Sequence, residues 1–206
     1  MRVVVGAKSD PTPEFVDAIE YIVFNPYWYV PRSIIRKELI PAQASNSNYL
    51  SRNGYELLDD RGVVDPASLD WAGDAIARFP YGIRQKPGPG NALGGLKFVL
   101  PNPLDIYLHD SPAKKLYART QRAFSHGCIR LEYPELLAQA LLKEDPEWTE
   151  SSISAAIARG TTRQVNLGAP VPIYFTYMTV RVHDDGAVSF YDDVYGRDRA
   201  TLARYL

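Results

Sequence analysis

The stretch Phe124-Ser125-His126-Gly127-Cys128-Ile129-Arg130-Leu131 constrains this chain more than any other. It holds the single cysteine among 206 residues and one of only three histidines. A thiol attacks carbonyl carbon as the thiolate, and a neighbouring imidazole or a helix N-terminus lowers a cysteine pKa from ~8.5 to roughly 3.5–7.5. Both aids are within reach in the sequence. Gly127 allows a sharp turn or a close backbone approach. Tyr133-Pro134-Glu135-Leu136-Leu137 reads as a helix start with Pro in its first turn. The bland reading makes Cys128 a buried small hydrophobe, the commoner fate of a free cysteine. The Ser-His-Gly-Cys context, with a second histidine upstream, favours a nucleophile.

That second histidine is His109, nineteen positions before Cys128. Leu104, Ile106 and Leu108 alternate with Asp105, Tyr107 and His109, which predicts a strand ending at His109. A strand end is a rigid mount for a base. His109, fifteen residues, then Ser125-His126-Gly127-Cys128 and an apolar and a polar residue: this pattern resembles the signature of the L,D-transpeptidase catalytic domain, the YkuD family.

The resemblance implies roles position by position. Cys128 matches the nucleophile, His109 the imidazole that takes the thiol proton, and His126 a second histidine that shapes the site. Backbone N–H groups around Gly127 and Cys128 would form an oxyanion hole, because negative charge develops on the carbonyl oxygen in the tetrahedral state. Arg130, Ser125 and Tyr107 are the candidate substrate-binding residues, Arg130 through the planar fork of its guanidinium. Asp110 either orients His109 or caps the turn before Ser111-Pro112, the second reading being preferred.

The resemblance further implies a cysteine-dependent transpeptidase that forms 3→3 cross-links in peptidoglycan. Cys128 would hold the donor stem peptide as a thioester after releasing D-Ala, and carbapenems would acylate the same sulfur. The partners are donor and acceptor stem peptides, the setting is the periplasm or cell envelope, and the chain acts as a monomer without cofactor or metal. Alternatives are an L,D-carboxypeptidase with water as acceptor, or a truncated domain that is inactive or only binds wall peptides. A papain-like peptidase is disfavoured because the base precedes the nucleophile. A zinc site on Cys128, His126 and His109 lacks any supplementary ligand pattern.

Twenty-three basic and 24 acidic residues leave a net charge of −1 with no basic stripe, which argues against nucleic acid as a partner. No apolar window reaches the length of a membrane span. Met1-Arg2 runs straight into Val3-Val4-Val5-Gly6, too short for a signal peptide. With an extracytoplasmic substrate, that is consistent with a fragment lacking its N-terminus. At this length and 46% apolar content, the chain is expected to be one domain with a large insertion.

The fold class expected is α+β: a mainly β domain, a YkuD-like mixed sheet or sandwich, with flanking helices. Val3 to Val5 reads as a strand, left with an exposed edge if earlier family strands are missing. Glu20 to Phe24 reads as a second strand. Pro31 opens a helix carrying Ile34, Ile35 and Leu39 on one side. The run from Asn25-Pro26-Tyr27-Trp28 through Val30-Pro31-Arg32-Ser33 resembles the large periplasmic family members typified by YcbB. In that subgroup, an insertion corresponding to about 35–83 forms a capping subdomain over the active site. Arg84 to Gly95 is a Gly/Pro-rich loop suited to a substrate cleft. A helix is expected over Pro134 to Lys143, with Leu136, Leu137, Ala140 and Leu141 on one face. Another starts at Thr149 and ends at Gly160. Strands Gln164 to Leu167, Val171 to Val182 and Ala187 to Tyr191 close the chain, the last two joined by a turn at His183 to Gly186.

Overall fold

The computed structural model describes residues 1–71 and 79–203. Alternating apolar residues build a seven-stranded mixed sheet in the order β11-β2-β7-β8-β10-β1-β9. Its strands are β1 (Val3–Gly6), β2 (Phe15–Phe24), β7 (Leu96–Val99), β8 (Leu108–His109), β9 (Ala123–Ser125), β10 (Ile129–Leu131) and β11 (Arg163–Phe175). One face carries Ile22, Phe24, Leu96, Phe98, Leu108, Ile129 and Leu131, all nearly inaccessible to solvent. Fully burying such a side chain contributes about 1.5–3 kcal/mol. Helices α4 (Pro134–Leu141) and α5 (Glu150–Ala158) supply Ala138 and Ile153 to the same core, and Trp148 stacks on Phe24 with ring centroids 4.9 Å apart. The fold is thus mainly β with a few short helices, the α+β class expected.

Thr149 caps α5 by accepting the Ser152 N–H at 3.2 Å. Gly160 follows the helix at φ +68°, a conformation glycine adopts without a Cβ clash. β1 does not present the free edge expected of it: β10 pairs with it antiparallel and β9 parallel. The face of α4 also differs in part from the sequence reading. Leu137 and Leu141 pack against the core beside buried Pro134, Ala138 and Leu142, as expected of them, whereas Leu136 (56% exposed) and Ala140 turn outward, because the contact face is centred on Ala138. The long final strand expected over Val171 to Val182 divides into the end of β11 and β12 (Val180–Val182), which pairs with β13 (Val188–Phe190) around the expected His183 to Gly186 turn.

Residues 28–85 build a second unit. Strands β3 (Trp28–Tyr29), β4 (Tyr55–Asp59), β5 (Gly62–Val64) and β6 (Gly82–Gln85) form a four-stranded sheet in the order β3-β6-β4-β5. Against it packs a helical run of α1 (Arg32–Ile34), a π-helical turn (Ile35–Leu39) and α2 (Ile40–Ser45), followed by α3 (Tyr49–Arg52). Ile34, Ile35, Leu39, Leu50, Leu57 and Ile83 make a separate apolar cluster. Residues 72–78 of the expected capping region lie outside the described residues. Buried Asn91 ties together the two connections that link this unit to the main sheet, donating to the carbonyls of Pro26 and Lys86 at 3.0 and 2.9 Å.

Candidate active site

Strand alternation that buries Leu96, Phe98, Leu108, Ile129 and Leu131 on the core face sends the intervening side chains to the opposite face. β8 pairs antiparallel with β7 and parallel with β10, so His109 sits opposite Lys97 on one side and Arg130 on the other. Lys97, His109 and Arg130 therefore form a row across three strands. Cys128 and Tyr107 stand just before β10 and β8; the thiol feels the charges of Lys97 and Arg130 and hydrogen bonds of Tyr107, and also packs against the rim of the apolar core. The sheet register thus assembles residues that are far apart in sequence.

The strand expected before His109 shrinks to Leu108–His109. Asp105 has φ +53°, and Asn102 closes a turn by donating to the carbonyls of Leu100 and Ile106, both at 2.7 Å. Asn102 Oδ1 accepts the N–H groups of Leu104 and Ile106 at 3.1 and 3.2 Å, so this segment's backbone groups are satisfied locally rather than in a ladder. The turn aims the Asp105 carbonyl at the thiol, which donates to it at 3.6 Å.

His109 is 4% exposed and its Nδ1 bonds the backbone carbonyl of Asp110. A carbonyl only accepts, so Nδ1 carries the hydrogen and Nε2 keeps its lone pair. Burial, then the charge of Arg130, pushes the imidazole down to a pKa of about 3, with Lys97 adding a smaller push. The same burial raises the Cys128 thiol above its ordinary value, against lowering by hydrogen bonds with Tyr107 and by the charges of Lys97 and Arg130. Thiol and imidazole are therefore both neutral at rest near neutral pH. Two cations stand ready to stabilise negative charge once it forms at sulfur.

Asp110 bonds His109 through its main chain, and the charge of its carboxylate adds a smaller pull toward the imidazolium. Its carboxylate accepts Ser111 N–H at 2.6 Å, Gly95 N–H at 2.9 Å and Lys114 Nζ at 2.5 Å, so the preferred turn-capping reading holds. Tyr107 lies beside His109 with ring centroids 5.7 Å apart, and its phenol interacts with both the Cys128 thiol and the Trp28 indole.

The loop carrying Cys128 is held from several sides. Gly127 has φ +108°, which favours glycine, and a Cβ there would crowd Ile106 Cδ1 at 3.2 Å. Ser125, 3% exposed, donates to the Cys128 carbonyl at 2.6 Å and accepts Gly127 N–H at 3.2 Å. Its hydroxyl thus spans the loop, and the Gly127 N–H is engaged there. Among the described residues, Cys128 N–H has no such partner and is free to donate. Thr12, which no sequence pattern singles out, accepts Gly6 N–H at 2.9 Å and donates to the Gly127 carbonyl at 2.8 Å.

His126 lies outside the row. Its Nε2 meets Glu38 Oε1 at 2.8 Å, so the loop carrying the thiol touches the π-helical turn of the second unit. Among the described residues, no cluster of three or more His, Cys, Asp or Glu could hold a metal ion. No helix among them is long and apolar enough to cross a membrane. A cavity of about 500 Å³ lined by Val3, Val5, Ile129, Phe175, Tyr177 and Tyr195 contains neither Cys128 nor His109.

Comparison with known proteins agrees with this geometry. Residues 1–173 match the family model of the YkuD L,D-transpeptidase catalytic domain. A Haemophilus influenzae protein named "Putative L,D-transpeptidase" is 38% identical over 199 residues, which make up 96% of this chain and 40% of that protein. The chain therefore spans about two fifths of the length of the relative it matches. With a match extending over most of its length and a row of Lys97, His109 and Arg130 beside Cys128, the chain belongs to the L,D-transpeptidase catalytic domain family.

Proposed function

We propose that this domain catalyses L,D-transpeptidation on peptidoglycan stem peptides through a Cys128 thioester, forming 3→3 cross-links. The observation that carries the reading is the commitment of His109 Nδ1 to the Asp110 carbonyl on the strand beside the thiol. It leaves Nε2 as the base. His109 takes the thiol proton as sulfur attacks the carbonyl of the donor's third residue. The Cys128 N–H receives the developing oxyanion, and Lys97 and Arg130 stabilise the negative charge around it. Collapse breaks the peptide bond, and the proton held on His109 passes to the amine of departing D-Ala. The acceptor's side-chain amine then gives a proton to His109, attacks the thioester carbon and forms the new amide, and the proton returns to sulfur.

In this reading the unit built by residues 28–85 is the cap. It limits water, which would otherwise hydrolyse the thioester. Trp28 and Glu38 are its contacts with the site, through Tyr107 and His126. Peptidoglycan lies outside the cytoplasmic membrane, so the domain works in the cell envelope.

Incubation with a disaccharide-tetrapeptide tests the reading by mass spectrometry of the products. Free D-Ala and a dimer linked between two third residues are expected. D-Ala and monomeric tripeptide without dimer would assign water as acceptor instead.

A further inference from the structure

Lys97 has no role in the family reading drawn from the sequence, yet it lies next to His109 in the row beside Cys128. Its ammonium rests 3.9 Å above the centre of the Tyr107 ring, whose phenol interacts with the thiol. Among the described residues, no carboxylate lies within ion-pair distance of it, although Asp105 is near enough to favour its charge. Burial disfavours that charge. Across the row, the buried Nε of Arg130 has no hydrogen-bond partner. Two partly desolvated cations with unmet bonding capacity flank a neutral thiol and a neutral imidazole. Such charges are retained where a ligand anion completes them.

A stem-peptide donor carries an anion close to the attacked bond. When the leaving group is the terminal residue, its carboxylate follows the attacked carbonyl by one residue, about 3.8 Å between successive Cα atoms. A lysine over Tyr107 is within reach of that position, whereas a residue on the core face is not. We propose that Lys97, together with Arg130, is a specificity-determining residue that pairs with the C-terminal carboxylate of the donor's leaving residue. Donors ending in a free carboxylate one residue past the attacked carbonyl are preferred over their C-terminal amides. The inference rests on the donor chemistry proposed above.

Acylation rates of Cys128, read by intact mass, test it with two probes: a tetrapeptide stem with a free C-terminal carboxylate, and its C-terminal carboxamide. Wild type is expected to prefer the free acid by about tenfold or more, the scale of a charge-assisted hydrogen bond. Lys97→Met is expected to lose most of that preference, and Lys97→Arg to keep it. Any loss of thiolate character in Lys97→Met falls on both donors alike, so their ratio isolates the carboxylate. An unchanged ratio in Lys97→Met, or no preference in wild type, would overturn the assignment. Acylation of wild type by neither probe would overturn the donor reading and this inference with it.

Discussion

Glu38 and His126 meet at 2.8 Å across the boundary between the second unit and the nucleophile loop. Their side chains are 52% and 49% exposed, so water screens the pair and its effect on stability is small, about 0–1 kcal/mol. Its expected effect is on function. On the proposed reading, in which the second unit caps the site, Glu38→Ala should leave the melting temperature nearly unchanged and raise the fraction of thioester lost to water by several-fold, because that unit is no longer held to the loop. The ratio of hydrolysed to cross-linked product measures this directly.

Arg130 favours the thiolate of Cys128 while burial opposes it. The pH at which iodoacetamide alkylation reaches half its maximal rate should lie above that of an ordinary thiol. Arg130→Met should move it higher still, since a cation beside sulfur is removed. A shift toward lower pH would contradict the electrostatics assigned to the row.

His109 makes stability depend on pH in a defined direction. Its folded pKa of about 3 lies below the ordinary histidine value of about 6.5. Between those values the unfolded chain binds a proton that the folded chain does not. Stability is therefore full above pH about 6.5 and falls on acidification toward pH 3, by up to about 1.4 kcal/mol per pH unit. His109→Gln should flatten this part of the stability profile in denaturant titrations.

Ser125 closes the nucleophile loop from within. Ser125→Ala leaves Gly127 N–H and the Cys128 carbonyl without their shared partner, at a cost of roughly 1–3 kcal/mol. Acylation should slow more than alkylation, because the loop's shape matters to a substrate-sized reagent more than to a small one. Thr12→Val should act in the same direction through the Gly127 carbonyl.

Much of this site could be read from local pattern. The Ser125 to Arg130 motif marked the family, and Thr149 and Gly160 marked the ends of α5, because each signal lies within a few neighbouring residues. Features set by strand register could not be read that way. Lys97 is twelve residues from His109 in sequence yet lies opposite it in the sheet. Thr12 reaches Gly127 across the start of the fold, and Glu38 reaches His126 from another unit. The overlong strand before His109 arose because apolar alternation continued through Leu104 and Ile106, while Asn102 diverted their backbone groups into a turn. On α4, Leu136 looked like core because apolar residues outnumber the positions that the sheet covers.

The most direct test of the central claim is the time course of intact mass on adding a tetrapeptide donor to wild type, Cys128→Ala and His109→Gln. Wild type should gain the mass of the donor less that of free D-Ala, and Cys128→Ala should gain nothing. His109→Gln should acylate about 10²–10⁴ times more slowly, the range for loss of a positioned base. An adduct that persists in Cys128→Ala, or an unchanged rate in His109→Gln, would contradict the assignment of Cys128 as nucleophile or His109 as its base.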